Sequence, residues 1–158
     1  MDIEIDADGL QEESKIKGDD AEDTALLREM AAEAREYVED FEWCPAVVSV
    51  HLAFGVGGIV AVFLVQFEEA IEGADDALWV IVGDLPSAYV VVEPGDDGKQ
   101  ALGRYCELME DWSFNVLKGL SLEECFPVAA EATHEHAEML RERIAFIHTE
   151  ILETPEDE

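Results

Sequence analysis

The sequence predicts an α+β fold in which an antiparallel sheet of about four strands, formed by two hairpins, is flanked by one N-terminal helix and two C-terminal helices. Two observations predict it. Apolar residues recur at three- and four-residue spacing in separate stretches near the two ends of the chain, and β-branched runs broken by glycine or proline lie between them. The 158 residues suit one domain, which we expect over residues 21–153, with an acidic tail at 1–20 that is disordered or weakly docked and a second acidic tail at 154–158.

The first helix is predicted from about Glu22. Its apolar residues form one stripe, and either Asp23 or Thr24 is suited to cap its start. The stripe consists of Leu26, Leu27, Met30, Ala31, Ala34, Tyr37, Val38 and Phe41.

A run of 25 residues without a charged side chain, from Trp43 to Phe67, follows the helix. Its length alone is that of a membrane span. We favour a β-hairpin, because Gly55-Val56-Gly57-Gly58 is a turn signal at its centre and no Lys or Arg lies between Arg35 and Lys99. Val48, Val50, Leu52 and Phe54 alternate with smaller or polar residues, as in a strand.

The second strand of this hairpin, Ile59 to Phe67, is apolar on both faces and is predicted to be central. A second hairpin is predicted from Ala77–Gly83 and Ser87–Val92, joined by a turn through Asp84-Leu85-Pro86.

Two helices complete the predicted fold. The first opens at Asp96 or Asp97 and ends at Gly119. The second runs from about Thr133 to Leu152, and its narrow apolar seam favours packing on another helix. The seam consists of Ala137, Leu140, Ile144, Ile147 and Ile151.

The charge is the unusual property of the chain. Nine basic residues stand against 39 acidic ones, which gives a formal net charge of −30 and a pI of about 4.1. Residues 24–152 alone hold 25 acids and seven bases, so the predicted domain itself is anionic. This balance disfavours direct binding to nucleic acid and to anionic membranes. It leaves four explanations: salt adaptation, solubility, a basic protein partner, or mimicry of nucleic acid towards a DNA-binding protein.

The cysteines indicate a reducing compartment. Cys44, Cys106 and Cys125 are odd in number and widely spaced, and the acidic start of the chain is unlike a signal peptide. We therefore expect a cytoplasmic protein.

The segment Trp79-Val80-Ile81-Val82-Gly83-Asp84-Leu85-Pro86-Ser87-Ala88-Tyr89 resembles a signature of uncharacterised bacterial domain-of-unknown-function families. In those families a strand reading W-V-I-x-G-D is followed by a proline turn and by a Tyr that opens the next strand. Glu42-Trp43-Cys44 after the first helix is also similar, and in element order the resemblance covers residues 37–152. The resemblance implies the same fold and a bacterial origin, and it transfers no activity.

Three residues are candidates for a ligand site. Asp84 in the predicted turn and Tyr89 in the strand after it would form an acid–base or ligand-orienting pair, and His51 lies on the less apolar face of its strand. The structural alternative is favoured for each: Asp84 bonds to turn amides, Tyr89 packs in the core, and His51 is a satisfied structural group.

Glu131, His134, His136 and Glu138 are the residues of metal-ligand type that cluster in the sequence. His134 and His136 point about 200° apart on a helix and cannot chelate one ion together. A second Glu-x-x-His of the di-iron kind is missing from the sequence, as are the nucleophile elbow, the Walker loop and the dinucleotide fingerprint. We predict neither a metal nor a cofactor.

Two functions remain. The first, which we prefer, is a non-catalytic binding domain that presents its acids to a basic protein or forms a homodimer; it predicts acids concentrated in one patch. The second is a small-molecule binding protein or enzyme with a pocket between sheet and helices that uses Asp84, Tyr89, His51 or the thiols. In the second, the acidity reflects salt adaptation.

Overall fold

A computed structural model describes residues 11–18, 20–42, 44–56, 59–69, 76–83, 87–92, 98–123, 132–147 and 149. The chain divides into two compact units, residues 1–102 and 103–158, and the boundary falls inside a helix. One domain over residues 21–153 therefore stays a prediction. Among the residues that the structure describes, no helix combines the length and the apolar character needed to cross a bilayer.

The first unit contains a five-stranded antiparallel sheet whose strands follow one another in chain order. The strands are β1 (Gln11–Glu12), β2 (Val47–Val56), β3 (Val60–Phe67), β4 (Ala77–Gly83) and β5 (Ala88–Val91). Both predicted hairpins are confirmed, because β2 pairs with β3 and β4 pairs with β5. The predicted turn residues Gly57, Gly58, Asp84, Leu85 and Pro86 lie outside the described residues.

Strand β3 is central, as its apolar sequence predicts. It pairs along its length with both β2 and β4, and all of its residues except Gln66 are buried. The side chains on the two faces of β3 are buried on opposite sides of the sheet. Ala61, Phe63 and Val65 belong to the core cluster that also contains residues of the first helix. Val62 and Leu64 point the opposite way and are buried as well.

The first helix, α1 (Ala21–Glu39), packs on one face of the sheet. Its apolar stripe supplies Leu27, Met30, Ala31, Ala34 and Val38 to the core, as predicted. The cap differs from the prediction. Asp20, one turn earlier than the residues we expected, accepts a hydrogen bond from the Asp23 backbone N–H at 2.8 Å.

The fifth strand lies inside the segment expected to be a disordered tail. Gln11 and Glu12 form β1 on the edge of β2, a 3-10 helix follows at Glu13–Lys15, and Ile16 is fully buried. The acidic composition hides this strand, because within residues 11–18 Ile16 is the only apolar side chain. Two arginines of α1 hold the segment as well. Arg28 Nε donates to the Ile16 carbonyl at 3.0 Å, and Arg35 forms a salt bridge with Glu13.

A register shift between Leu52 and Phe54 breaks the alternation of β2. Leu52 faces α1, and beyond the shift Gly55 faces it too, since a Cβ on Gly55 would lie 2.8 Å from Leu27 Cδ2. Phe54 therefore points away from α1, with Lys99 Nζ 5.3 Å from its ring centroid. The sequence pattern had placed Phe54 on the same face as Val50 and Leu52, because a bulge adds one residue without a compositional signal.

Two helices follow the sheet: α2 (Gly98–Lys118) and α3 (His134–Phe146). Helix α2 ends at Gly119 as predicted; its φ is +70°, and the Leu120 N–H donates to the Asn115 carbonyl at 2.8 Å in a Schellman arrangement. Helix α3 begins after Thr133, whose side chain caps the His136 N–H. The seam residues Ala137, Leu140, Ile144 and Ile147 are buried within the single chain, and Ile151 lies outside the described residues.

Candidate functional site

The exposed side of α1 carries a row of carboxylates. Glu22, Glu29, Glu33, Glu36 and the C-cap residue Asp40 are separated by seven, four, three and four residues, and all five are exposed. At 100° per residue these spacings keep the side chains within about 60° of arc, on the side opposite the buried stripe. We call these five residues the acidic face. At 1.5 Å per residue it is about 27 Å long.

The acidic face has no charge partner in the part of the chain that the structure describes. None of its five side chains forms a salt bridge or a hydrogen bond with a described residue. The two arginines of α1 project elsewhere: Arg28 reaches the Ile16 carbonyl, and Arg35 reaches Glu13 and, at 3.7 Å, Glu39. The bases of this helix thus hold the β1 segment and leave the acidic face uncompensated.

Helix formation does not explain this arrangement. Like charges at i,i+3 and i,i+4, as in Glu29, Glu33 and Glu36, destabilise a helix. Negative charges near a helix C-terminus also oppose the helix dipole, yet Glu36 and Asp40 lie there and the last turn of α1 holds no basic residue. Glu22 lies in the first turn, where a negative charge is favourable, so the cost in stability falls on the four acids from Glu29 to Asp40.

The other two helices mix the signs of their charges. Helix α2 carries Arg104 and Lys118 with its acids, and α3 carries Arg141 and Arg143 with its acids. By the same spacing rule α3 presents a shorter row of exposed acids, Glu135, Glu138 and Glu142, so among the described helices α1 is distinguished by the longest exposed row of a single sign. The sequence contains the signal for this face, because the spacing of the five acids is helical, but our reading of α1 followed its apolar residues only.

Tyr89, a predicted site residue, lies in an aromatic cluster where β5 meets the C-terminal end of α1. Its ring centroid is 6.4 Å from that of Tyr37 and 5.5 Å from that of Phe41. Burial, followed by the neighbouring Tyr89, raises the pKa of Tyr37 to about 12. The proposed partner of Tyr89, Asp84, lies outside the described residues, so their pairing stays a prediction.

His51 lies in a short polar strip on the face of the sheet away from α1. Ser49 precedes it by two residues on β2 and donates a hydrogen bond to Gln66 Oε1 at 2.7 Å. Glu12 of β1 is directly opposite His51 in the register. The Nδ1 atom of His51 is buried and has no hydrogen-bond partner among the described residues. The strip is thus polar at an edge of an otherwise apolar face.

The structure does not bring His51 and Tyr89 together. Strands β2 and β5 are three strand spacings apart, or about 14 Å. Tyr89 packs against the core on the α1 side, whereas His51 alternates with Val50 and Leu52, which belong to that core. The two residues therefore do not line one pocket.

The two described thiols are held in their neutral form. Burial, followed by Glu110 and Glu107, raises the pKa of Cys106 to about 12. Burial and Glu39 also raise the pKa of Cys44. A neutral thiol is the weaker nucleophile, so neither environment favours covalent chemistry. Cys125 lies outside the described residues.

The histidines of α3 lie at its first turn. His134 is exposed, and His136 Nδ1 lies 2.9 Å from the capping Thr133 Oγ1. Glu131 lies outside the described residues. Within the described ranges no three His, Cys, Asp or Glu side chains are placed to hold one metal ion.

Comparisons with protein-family models, with curated proteins and with solved structures found no match to this chain.

Proposed function

We propose that the protein is a non-catalytic binding domain whose acidic face on α1 contacts a basic protein. The observation that carries the proposal is the row of five exposed carboxylates on the helix face opposite the core. At 1.5 Å per residue this row is about 27 Å long. A partner that presents Lys or Arg along a strand or helix would relieve the repulsion within this row when it binds. Such a partner gains on-rate from the field of the whole chain as well.

Two further features of the proposal come from the sequence. The protein acts in the cytoplasm, in agreement with the free thiols of Cys44 and Cys106. A bacterial host and a homodimer stay predictions. The apolar seam of α3 gives a homodimer no support, because Ala137, Leu140, Ile144 and Ile147 are already buried in the single chain.

Two variants of equal net charge test the proposal. The first replaces Glu22, Glu29, Glu33 and Glu36 of α1 by glutamine. The matched control replaces four exposed glutamates on the other helices by glutamine, namely Glu107, Glu135, Glu138 and Glu142. Both are titrated with a fluorescent lysine-rich helical peptide at physiological salt, and folding is checked by circular dichroism.

We expect the α1 variant to bind the peptide about tenfold more weakly than the unmodified protein, because removal of four facing charges weakens several contacts at once. The control should change the affinity by less than about twofold, since it alters the general field only. Equal weakening in both variants would mean that the peptide responds to net charge, and the proposed surface would be wrong.

A further inference from the structure

The unit formed by residues 103–158 contains a groove with a chemistry unlike the rest of the chain. Glu110, Phe114, Leu117 and Lys118 of α2 line it together with Arg141 of α3, and its volume is about 470 Å³. This volume is in the range of sites that bind small molecules, about 300–1,000 Å³. We call it the α2–α3 groove.

The α2–α3 groove concentrates the rare charge of this protein. Among the described residues, two basic side chains line it, Lys118 and Arg141, against one acid, Glu110. Arg141 forms no salt bridge with a described residue. The Lys118 ammonium lies 5.9 Å from the centroid of the Phe114 ring. A local cationic site in so anionic a chain indicates an anionic ligand.

The groove is also apolar. Phe114 is 53% exposed, a high value for a phenylalanine, and Leu117 lies one helical turn further along the same groove wall. A ligand with an apolar part would remove the Phe114 ring and the Leu117 side chain from water, which favours binding. The site therefore suits a molecule that combines an anionic group with an apolar tail.

We propose that the α2–α3 groove binds a small monocarboxylate with an apolar tail. The Arg141 guanidinium matches a carboxylate with two parallel hydrogen bonds, and Lys118 adds a second positive charge. A monovalent carboxylate suits the groove better than a phosphate. The repulsion from a chain of net charge −30 grows with the charge of the ligand, and the Glu110 carboxylate adds to it inside the groove. The proposal is independent of the acidic face, which lies in the other unit.

Calorimetric titration with octanoate at physiological salt tests the site, with 1-octanol as the uncharged probe of the same length. We expect saturable binding of octanoate with one molecule per chain. Octanol should bind more weakly by about tenfold or more, because it lacks the charge-assisted contact. No saturable octanoate binding at millimolar concentration, or equal affinity for the two probes, would overturn the proposal.

Variants of the full-length chain locate the bound probe. Arg141→Gln should weaken octanoate binding by about tenfold. Arg143→Gln is the matched control, because Arg143 belongs to the same helix, does not line the groove and donates to the Met139 carbonyl at 3.5 Å. Glu110→Gln should strengthen binding, since it removes the like charge from the groove. Equal effects of Arg141→Gln and Arg143→Gln, or weaker binding after Glu110→Gln, would place the probe elsewhere.

Discussion

Gly83, at the end of β4, occupies a position that no other amino acid fits. Its φ is +152°, and a Cβ there would collide with the Ile59 carbonyl oxygen and lie 2.8 Å from Val60 Cα. Both neighbours are backbone atoms, of Val60 at the start of β3 and of Ile59 just before it, so they cannot turn aside as a side chain would. The close approach of β3 to β4 at this point thus requires glycine.

We predict that Gly83→Ala lowers the free energy of unfolding by about 2–3 kcal/mol, through backbone strain and the collision with β3. Gly103→Ala provides the matched control, because Gly103 lies inside α2 and a Cβ there meets no atom within 4 Å. That change should raise the free energy of unfolding by about 0.5–1 kcal/mol. Urea unfolding of the two variants measures both signs, and equal effects would contradict this account of Gly83.

His51 is a residue at which a buried polar atom is expected to lower the stability of the fold. Its buried Nδ1 has no hydrogen-bond partner among the described residues, and a buried polar atom without a partner costs about 1–3 kcal/mol. We predict that His51→Val raises the free energy of unfolding by about 1 kcal/mol, because valine suits a strand and leaves no polar atom unsatisfied.

The matched control for His51 is Ser49→Val on the same face of β2. This change removes the hydrogen bond that Ser49 Oγ donates to Gln66 Oε1 at 2.7 Å, and should lower the free energy of unfolding by about 1 kcal/mol. Thermal unfolding of both variants measures these two changes in stability, which are expected to have opposite signs. A loss of stability in His51→Val would show that the imidazole has a structural partner.

At the scale of elements, the helices and the two hairpins follow from the sequence, and the exceptions have physical causes. The turn glycines and the doubly apolar β3 predict the central hairpin, and Gly119 predicts the end of α2. The bulge at Phe54 and the edge strand β1 were missed. A bulge leaves the composition unchanged, and β1 depends on a single apolar anchor and on arginines that are distant in sequence.

The candidate site was predictable only in part. The composition predicts an excess of acids, and the preferred function predicts that they form one patch. The location of that patch on α1 follows from the helical spacing of its acids, namely Glu22, Glu29, Glu33, Glu36 and Asp40. The placement of His51 and Tyr89 on opposite faces depends on the strand order and on which face α1 covers. Local sequence patterns predict neither the strand order nor the sheet face that α1 covers.

The β1 segment provides a test at this scale. Ile16→Ala should lower the free energy of unfolding by about 2–4 kcal/mol, because Ile16 is fully buried against the core that α1 forms with the sheet. Ile59→Ala, the same change at an isoleucine that is 38% exposed, should cost less than about 1 kcal/mol. Denaturant unfolding compares the two. Equal small losses would mean that residues 11–18 are the disordered tail that their composition suggests.

At the scale of the whole molecule, the net charge of −30 opposes the compact state through self-repulsion. Salt weakens this repulsion, since the Debye length falls from about 30 Å at 0.01 M to about 3 Å at 1 M. For a chain of this length, each kcal/mol of repulsion that is relieved raises the Tm by about 3 °C.

We therefore predict that the protein is folded at low salt. Its Tm should rise in potassium chloride at about 1 M, because the repulsion is then screened. The variant with glutamine at Glu22, Glu29, Glu33 and Glu36 should show a smaller rise, because its most concentrated repulsion is gone. Circular dichroism at the two salt concentrations measures this. A chain that is unfolded at low salt and folds only in molar salt would instead identify the acidity as an adaptation to a saline host.

An NMR titration locates the contact surface on the protein. The isotopically labelled protein is titrated with the lysine-rich peptide, and the shift of each backbone amide is followed to saturation. The account predicts that the large shifts fall within residues 22–40, along the acidic face, with small shifts on α2 and α3. Shifts of equal size at the exposed acids of all three helices would contradict it, because the peptide would then be bound by net charge alone and by no particular surface.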